Sequence, residues 1–317
     1  MGRPSWGGPF IPKDTYMTTP RLVQRPRRKR SNWRAALAFL SPLIAIYAVY
    51  FAYSIGFLAQ TSFTKVSLTF FNSIDVGWRN YELLLSDPVF ARAIVNNILF
   101  AVISIAASLT VAFFISVVLS AGVRAGRLFY LVFLLPALMP VSLVATIFGS
   151  MLQERYGVLN ETLRAIGLDG LALPWLTEPG LAFGVVSVIF CYLIGLPIMY
   201  YTADLSALPS ESVESALLDG AGTFRIMRSI VFPMMRSTHI TIILSLLLLS
   251  FRALEVVLFS TRGGPGESTE IVGSYLYGFA TSAGPTIGLV SAASIIVLLI
   301  ALVLSLAQMF VLREKRK

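Results

Sequence analysis

Six long apolar segments constrain this chain more than any other feature of its sequence. They cover roughly residues 36–59, 94–120, 128–150, 181–203, 238–259 and 286–311. A helix needs about 20 apolar residues to cross the hydrocarbon core of a bilayer. Because unpaired backbone groups are too costly in lipid, apolar runs of this length predict helices. We therefore predict an all-α polytopic membrane protein with six transmembrane helices.

The composition agrees with a membrane protein and excludes several other classes. Of the 317 residues, 56% are hydrophobic and 13% are charged, whereas a soluble domain has about 45–50% and about 25%. A soluble globular protein and a disordered chain are excluded. The lone Cys191 and the lone His239 exclude a disulfide framework and a multi-histidine metal site. His239 is interpreted as an interfacial residue at a helix end, and no metal site is expected.

The net charge of +9 is concentrated beside the spans. If the N-terminus is cytoplasmic, 18 Lys and Arg residues lie inside and six lie outside. This asymmetry predicts that both termini are cytoplasmic, in a multi-pass protein of the plasma (inner) membrane. It also indicates contact with membrane lipid, and no nucleic acid is expected as a partner.

Four regions are predicted along the chain. They are a disordered basic cytoplasmic tail (1–34), the first transmembrane helix with an outer loop (35–92), a transmembrane core (93–312) and a basic cytoplasmic tail (313–317). The core contains one long cytoplasmic loop, residues 204–237, between the fourth and fifth spans.

The 204–237 loop carries the strongest local pattern. Pro209 and the acidic residues after it suit the first turn of a helix. One apolar stripe follows at helical spacing: Val213, Ala216, Leu217, Gly220 and Phe224. Glycine at 220 can end this helix, and a second short helix is predicted from Thr223 to Phe232. Pro233 ends or kinks it before the fifth span.

Two interpretations of the first loop helix compete. It could lie on lipid, but a helix on an anionic leaflet should be basic. This one carries Glu211, Glu214 and Asp219 and no basic residue. An acidic helix with an apolar stripe is better suited to a groove on a protein partner.

The same residues resemble a known family. The string Glu214-Ser-Ala-x-x-Asp219-Gly220-Ala221, with Ile230-x-x-Pro233 downstream, resembles the "EAA" loop of ABC importer permeases. The preceding Leu208-Pro209 and the Asp-Gly-Ala triplet resemble the carbohydrate-uptake branch, the MalF/UgpA-like sugar permeases. Ser215 stands where that family has alanine. Further matches lie in order over about residues 78–310, among them Trp78-x-Asn80-Tyr81, Gly195-x-Pro197 and Gly263-Gly264-Pro265.

The resemblance implies a permease subunit of an ATP-driven, binding-protein-dependent importer. Such a subunit would translocate a sugar, meaning an oligosaccharide or a related carbohydrate or polyol, by alternating access. Its implied partners are a second permease subunit, a cytosolic ABC ATPase dimer and an extracytoplasmic solute-binding protein. ATP and Mg²⁺ would be bound by the ATPase, so no cofactor is expected in this chain, which lacks a phosphate-loop motif and is not expected to be an enzyme.

The resemblance also implies roles for individual residues. Glu214 would be the acidic contact with the ATPase, and Gly220 the turn between the two loop helices. The implied ATPase-coupling residues are Val213, Glu214, Ala216, Leu217, Asp219, Gly220, Ala221, Phe224 and Pro233.

Polar residues within the spans are candidates for a solute path. They are Asn96, Asn97, Tyr192, Tyr200, Ser250, Arg252 and Glu255. The alternative for the polar ones is hydrogen bonding between helices. Arg252 and Glu255, three residues apart on one helix, are expected to form a local ion pair. Small residues at 284, 288 and 292 favour close packing of the sixth span.

Two other classes of function compete with a permease subunit. A secondary, ion-coupled transporter would need ionisable residues deep in the spans, and the first, second, third and sixth apolar segments contain none in their cores. An integral membrane enzyme would need a catalytic cluster at one membrane face. The acidic residues of the 204–237 loop have no paired His, Cys or metal-ligand spacing.

Overall fold

The computed structural model describes residues 33–67, 73–120, 126–192, 194–281 and 286–314. Most of the two predicted tails, 1–34 and 313–317, lies outside these residues, as do Arg124 in the turn after the second span and Gly284 of the small-residue stripe. Within the described residues the chain is mostly helical.

The helices and strands follow one another in this order. The first eight helices are α1 (Trp33–Ser62), α2 (Arg79–Leu85), α3 (Pro88–Ala107), α4 (Phe113–Ser120), α5 (Gly126–Leu138), α6 (Val141–Met151), α7 (Val158–Ala165) and α8 (Pro179–Tyr192). The next eight are α9 (Gly195–Leu205), α10 (Ser210–Leu218), α11 (Thr223–Ile226), α12 (Phe232–Met234), α13 (Arg236–Phe251), α14 (Leu254–Ser260), α15 (Val272–Ala280) and α16 (Ile287–Glu314). Two π-helices, Ser108–Ala112 and Met227–Val231, a 3₁₀ turn at Asp169–Leu171 and the strands β1 (Thr64–Lys65) and β2 (Ile74–Asp75) complete the set.

Four helical stretches are long and apolar enough to cross a membrane. They are Leu37–Ser62, Pro88–Ser120, Pro179–Leu205 and Ile287–Phe310. Two bent pairs of helices raise the number to six if each pair forms one span: Leu128–Leu138 with Val141–Met151, and Thr223–Met234 with Arg236–Phe251. A mostly helical fold with four to six candidate spans over the described residues is therefore confirmed. We call these stretches spans one to six in chain order.

The predicted third segment, 128–150, is not one straight helix. Its two halves, α5 and α6, meet at 97°. Pro140 lies at the junction with an extended ψ of 131°. A proline has no backbone N–H for the helical ladder and restricts the residue before it, which explains the break at this position.

The predicted fifth segment, 238–259, is also broken. Helix α13 ends at Phe251, and α14 begins at Leu254 after Ala253 leaves the helical region with φ −83° and ψ 38°. Near this end, the carbonyl of Ser250 accepts a long bond of 3.4 Å from the Ala253 N–H and a shorter one of 2.7 Å from the side-chain amide of Asn97. A buried partner on another helix thus supplements the weak backbone bond at the break.

Span two packs against two other spans, the fourth and the fifth. Its helix α3 contacts α8 and α13, while α1 packs against α16. On the side away from the 204–237 loop, Phe100 of α3 stacks between Phe183 and Phe190, with ring centroids 4.6 and 5.2 Å away. We call this the far side, and the opposite one the loop side.

On the far side, the end of α1 is tied to α2 and α16. Strands β1 and β2 pair antiparallel, and the Asn80 amide donates to the carbonyls of Ser62 (2.7 Å) and Thr64 (3.0 Å). A Cβ at Gly288 would overlap the Thr64 carbonyl oxygen. One turn further along α16, Ala292 is fully buried. The two described residues of the small-residue stripe therefore lie at close contacts.

Candidate functional site

The 204–237 loop begins with the short helix α10. Pro209 precedes it with extended backbone angles, and Glu211 lies in its first turn, as expected at the positive end of a helix dipole. The helix ends at Leu218 with Asp219 as its C-cap, and Gly220 follows with a φ of +76°. The N–H of Gly220 bonds to the carbonyl of Leu217 (3.0 Å) and that of Ala221 to the carbonyl of Ala216 (2.9 Å). This is a Schellman motif, in which glycine is favoured because φ is positive.

The predicted apolar stripe of α10 is divided between two surroundings. Within the stripe, Ala216 is buried and Val213 packs half-buried against the core of the chain itself, as does the neighbouring Ala221. Leu217 and Phe224 instead remain exposed, Phe224 by 75%. Only part of the stripe is therefore free for a partner.

Sequence reasoning missed the most exposed apolar residue of this loop. Leu218 is 90% exposed and lies one position off the predicted stripe. Together, Leu217, Leu218 and Phe224 form an exposed surface that we call the apolar tip. The acidic Glu214 and Asp219 are also exposed. The adjacent Leu-Leu pair was the signal that could have revealed Leu218.

The second half of the loop is helical, as predicted, but its middle is a π-helix. Thr223–Ile226 leads into the π-helix Met227–Val231 and then into the short Phe232–Met234. Pro233 lies inside this last turn, and the chain bends by 68° after Met234 to enter α13. The loop thus continues into a candidate span through a kink.

His239 is not merely an interfacial residue at a helix end. Its Nδ1 lies 2.8 Å from the hydroxyl of the fully buried Tyr201, and its Nε2 lies 2.8 Å from the carbonyl oxygen of Phe232. Nearby, the hydroxyl of Thr238 donates to the Asp204 carboxylate. These contacts join span four to the kink, and no periodic pattern in the sequence announces them.

Asn96 and Asn97, predicted on the solute path, are buried and bonded to backbone groups. The Asn96 amide donates to the carbonyls of Ser268 (3.0 Å) and Glu270 (2.8 Å). Besides its bond to Ser250, Asn97 accepts the N–H of Val272 at 2.8 Å. These contacts join separate parts of the chain, as expected for hydrogen bonding between helices.

The predicted Arg252–Glu255 ion pair is wrong. Both side chains are exposed, and they form no ion pair with each other, unlike Arg92 with Glu267 and Arg164 with Glu161. The helix break at Ala253 separates the two residues, so the three-residue spacing no longer places them on one helical face.

The remaining predicted path residues differ in accessibility. Tyr192 is exposed and packs edge-on against Phe148, with centroids 5.2 Å apart. Tyr200 is half-buried and lines a cavity of about 340 Å³ that Asp204 and Thr238 also line. Ser250 is buried, and its hydroxyl donates to the carbonyl of Leu247.

A cavity of about 380 Å³ on the far side has three acidic residues, Asp87, Glu267 and Glu270, in its lining. Asp87 accepts the hydroxyl of Tyr275 at 2.6 Å. Burial raises the pKa of Glu270, and the nearby Glu267 adds to this, while a hydrogen bond from Ser274 opposes it. No group of three or more His, Cys, Asp or Glu with metal-binding geometry occurs among the described residues.

Comparison with known proteins identifies the family. A family model described as "Binding-protein-dependent transport system inner membrane component" matches residues 108–317, about two thirds of the chain. The protein of Bacillus subtilis named "Probable ABC transporter permease protein YurN" is 34% identical over 239 residues, which cover 74% of this chain and 81% of that protein. The lactose transport system permease protein LacF of Rhizobium radiobacter is 26% identical over 283 residues, covering 88% and 94%.

A solved structure shares the fold. It belongs to a bacterial ABC transporter involved in the import of the acidic polysaccharide alginate, and one of its chains superimposes with a TM-score of 0.71 at 22% identity, covering 90% of this chain and 96% of that one. At this identity the likeness shows the fold alone, and the family rests on the sequence matches. The chain belongs to the binding-protein-dependent transport system inner membrane components, as a non-catalytic permease subunit of an ABC transporter.

Proposed function

We propose that this permease imports a sugar across the plasma membrane by alternating access. It would act with a second permease subunit, a cytosolic ABC ATPase dimer and an extracytoplasmic solute-binding protein. The observation that carries the proposal is the apolar tip beside exposed carboxylates on a loop that packs against the rest of the chain.

The apolar tip favours a protein partner. Leu218 and Phe224 are 90% and 75% exposed, and burying each would contribute about 1.5–3 kcal/mol. Exposed apolar groups rimmed by polar ones are typical of interaction sites. Glu214 and Asp219 would fix the orientation of the contact, while the apolar residues supply most of the affinity.

The loop can also pass movement on to the spans. Its half-buried residues Val213 and Ala221 and its buried Ala216 pack on the chain's own core, so a displacement of α10 pushes on that core. Its second helical segment continues through the kink into α13. ATP and Mg²⁺ are assigned to the ATPase, and no cofactor is assigned to this chain.

A sugar is the solute class that the relatives support. The names of LacF, of the diacetylchitobiose permease NgcF of Streptomyces coelicolor and of the maltodextrin permease MalC of Streptococcus pneumoniae all state a carbohydrate. A second structure of the alginate transporter contains a periplasmic protein bound to an alginate pentasaccharide, which supports a binding-protein partner for this chain.

We assign solute contact first to the accessible members of the predicted path. Tyr192, Tyr200, Arg252 and Glu255 are exposed or half-buried, and aromatic and charged groups suit a sugar. We propose an indirect role for the other three, in which they support the path without contacting the solute, because their polar groups already bond to the backbone. They are Asn96, Asn97 and Ser250.

The proposal places both termini in the cytoplasm. The loop side would then face the ATPase, in keeping with the excess of Lys and Arg on that side. The basic segments 1–34 and 313–317 would form cytoplasmic tails, flanking the first span with its outer loop (35–92) and the core (93–312).

Charge reversal and a backbone block in the loop test the coupling role. We expect Glu214→Lys and Gly220→Pro to abolish uptake and ATPase co-purification while membrane insertion is retained. Glu82→Lys, an exposed charge reversal on α2, is the matched control and should leave both unchanged. The assay is uptake of radiolabelled lactose, diacetylchitobiose and maltodextrin by cells that express the complete transporter.

Two outcomes would contradict the proposal. Normal uptake and normal ATPase co-purification in both loop variants would remove the coupling role. Uptake that persists after ATP depletion but collapses with the ion gradient would instead indicate a secondary transporter.

A further inference from the structure

Four aromatic rings from four helices meet on the loop side. They are Phe113 of α4, Tyr201 of α9, Phe232 of α12 and His239 of α13, and we call them the ring cluster. The Phe113 ring centroid lies 5.5 Å from that of Tyr201 and 5.1 Å from that of Phe232, both edge-on. His239 lies 4.2 Å from Phe232 and 5.5 Å from Tyr201. The cluster therefore joins spans two and four, the loop segment and the helix that follows the kink.

Two hydrogen bonds give His239 a defined role in the ring cluster. The Phe232 carbonyl can only accept, so Nε2 of His239 carries the proton and donates to it at 2.8 Å. The neutral ring then accepts the hydroxyl of Tyr201 at Nδ1, also at 2.8 Å. Tyr201 is fully buried, and Phe232 lies in the last turn before the kink, where carbonyls lose helical partners. One imidazole thus ties the kink to span four.

Both π-helices of the described chain end at the ring cluster. The one at Ser108–Ala112 is followed directly by Phe113, and the one at Met227–Val231 directly by Phe232. A π-turn is an irregularity within a helix that often occurs at functional positions. Here two such turns, from distant parts of the chain, place rings 5.1 Å apart.

We propose that the ring cluster is the joint through which the 204–237 loop moves spans two and four, with His239 as its positioning residue. This inference rests on the proposed function, because it presumes that an ATPase moves the loop. Movement of the loop segment turns the Phe232 end of the kink. The two hydrogen bonds of His239 carry that turn to Tyr201, and the edge contacts of Phe113 carry it to span two.

The test uses the assembled transporter in lipid nanodiscs, with this chain, the second permease and the ATPase. Cys191→Ser removes the native thiol, and Leu85→Cys and Glu178→Cys carry spin labels. Both labelled residues are exposed, and each lies within three residues of the start of its span, Leu85 before span two and Glu178 before span four. The distance between the labels is measured by electron–electron double resonance without nucleotide and after trapping with ATP and vanadate.

In the transporter with an unaltered ring cluster, we expect the distance between the two labels to change after trapping with ATP and vanadate. We expect this change to be lost in Tyr201→Phe and His239→Ala. His239→Gln should retain the change in label distance that His239→Ala loses, since a side-chain amide can donate to the Phe232 carbonyl and accept from the Tyr201 hydroxyl. Tyr130→Phe is the matched control, because this hydroxyl on α5 has no hydrogen bond to any described residue. ATPase co-purification and ATP hydrolysis should be retained in all four variants.

The outcomes separate this inference from the proposed function. A full shift in Tyr201→Phe and His239→Ala overturns the joint. Loss of ATPase co-purification in these two variants also overturns it, since the cluster would then only maintain the loop's structure. If no ATPase co-purifies with the chain that has an unaltered joint, the proposed function itself fails.

Discussion

Replacing Asn97 by alanine should destabilise the permease markedly. Asn97 is fully buried in span two, and its amide donates to the Ser250 carbonyl at 2.7 Å and accepts the Val272 N–H at 2.8 Å. The first bond serves the end of α13, and the second serves the start of α15, positions where helices leave backbone groups open. Truncation leaves the Val272 N–H buried without a partner and leaves the Ser250 carbonyl with only a long bond of 3.4 Å from the Ala253 N–H.

The size of the effect follows from these two groups. An unsatisfied buried polar group costs about 1–3 kcal/mol, whereas hydrogen bonds between membrane helices average about 0.6 kcal/mol, because the unfolded state also finds partners. Val272 and Ser250 are 1% and 2% exposed, so water cannot replace the amide. We therefore expect a loss of about 2–4 kcal/mol in the free energy of unfolding.

Equilibrium unfolding in mixed detergent–SDS micelles, followed by tryptophan fluorescence, measures this loss. Asn97→Leu keeps the volume and should lose a similar amount, which separates hydrogen bonding from cavity formation. Ser104→Ala is the matched control on the same helix, because this buried hydroxyl has no partner among the described residues. Its removal should be neutral or slightly stabilising.

One result would refute this reasoning. If Asn97→Ala unfolds like the unaltered chain but no longer supports uptake, Asn97 contacts the solute and does not fasten the helices. That outcome would favour the sequence-based assignment of Asn97 to the solute path.

Three further predictions concern the loop and the far side. Gly220→Ala should lower the free energy of unfolding by about 1–2 kcal/mol, because the φ of this residue is +76°. Gly222→Ala is the control and should have little effect, because its φ is −70°. Thermal unfolding of the purified chain compares the two variants. Leu218→Asp should weaken ATPase co-purification without changing the midpoint of thermal unfolding, since the side chain is 90% exposed. Co-purification equal to that of the unaltered chain would argue against the apolar tip as a docking surface. Gly288→Val should impair folding, because its Cβ would overlap the Thr64 carbonyl, and normal yield of folded protein would show that α1 can move aside.

The loop shows how far sequence reasoning reached at the candidate site. A helix after Pro209, a turn at Gly220 and a second helix toward Pro233 are all present, because proline and glycine act through local backbone conformation. Which residues of the apolar stripe stay exposed could not be predicted. Ala216 faces the chain's own core and Leu218 faces away from it, and this depends on where span four and α13 lie.

The spans show the same division. Hydropathy located the apolar segments, and Pro140 explains why the third one bends. No local signal indicated that the fifth one breaks at Ala253, since the break is accommodated by the Asn97 amide 153 residues away from Ser250. The expected Arg252–Glu255 pair was wrong for this reason.

The sequence by itself determined the class, the family resemblance and the positions of the candidate spans. These follow from length, hydropathy and local backbone preferences, which neighbours along the chain decide. The tertiary structure alone decided the partners of Asn97, the exposure of Leu218 and the contacts of His239 with Tyr201 and Phe232. Such contacts join residues far apart in sequence, and each depends on how separate helices pack, a property that no single segment carries.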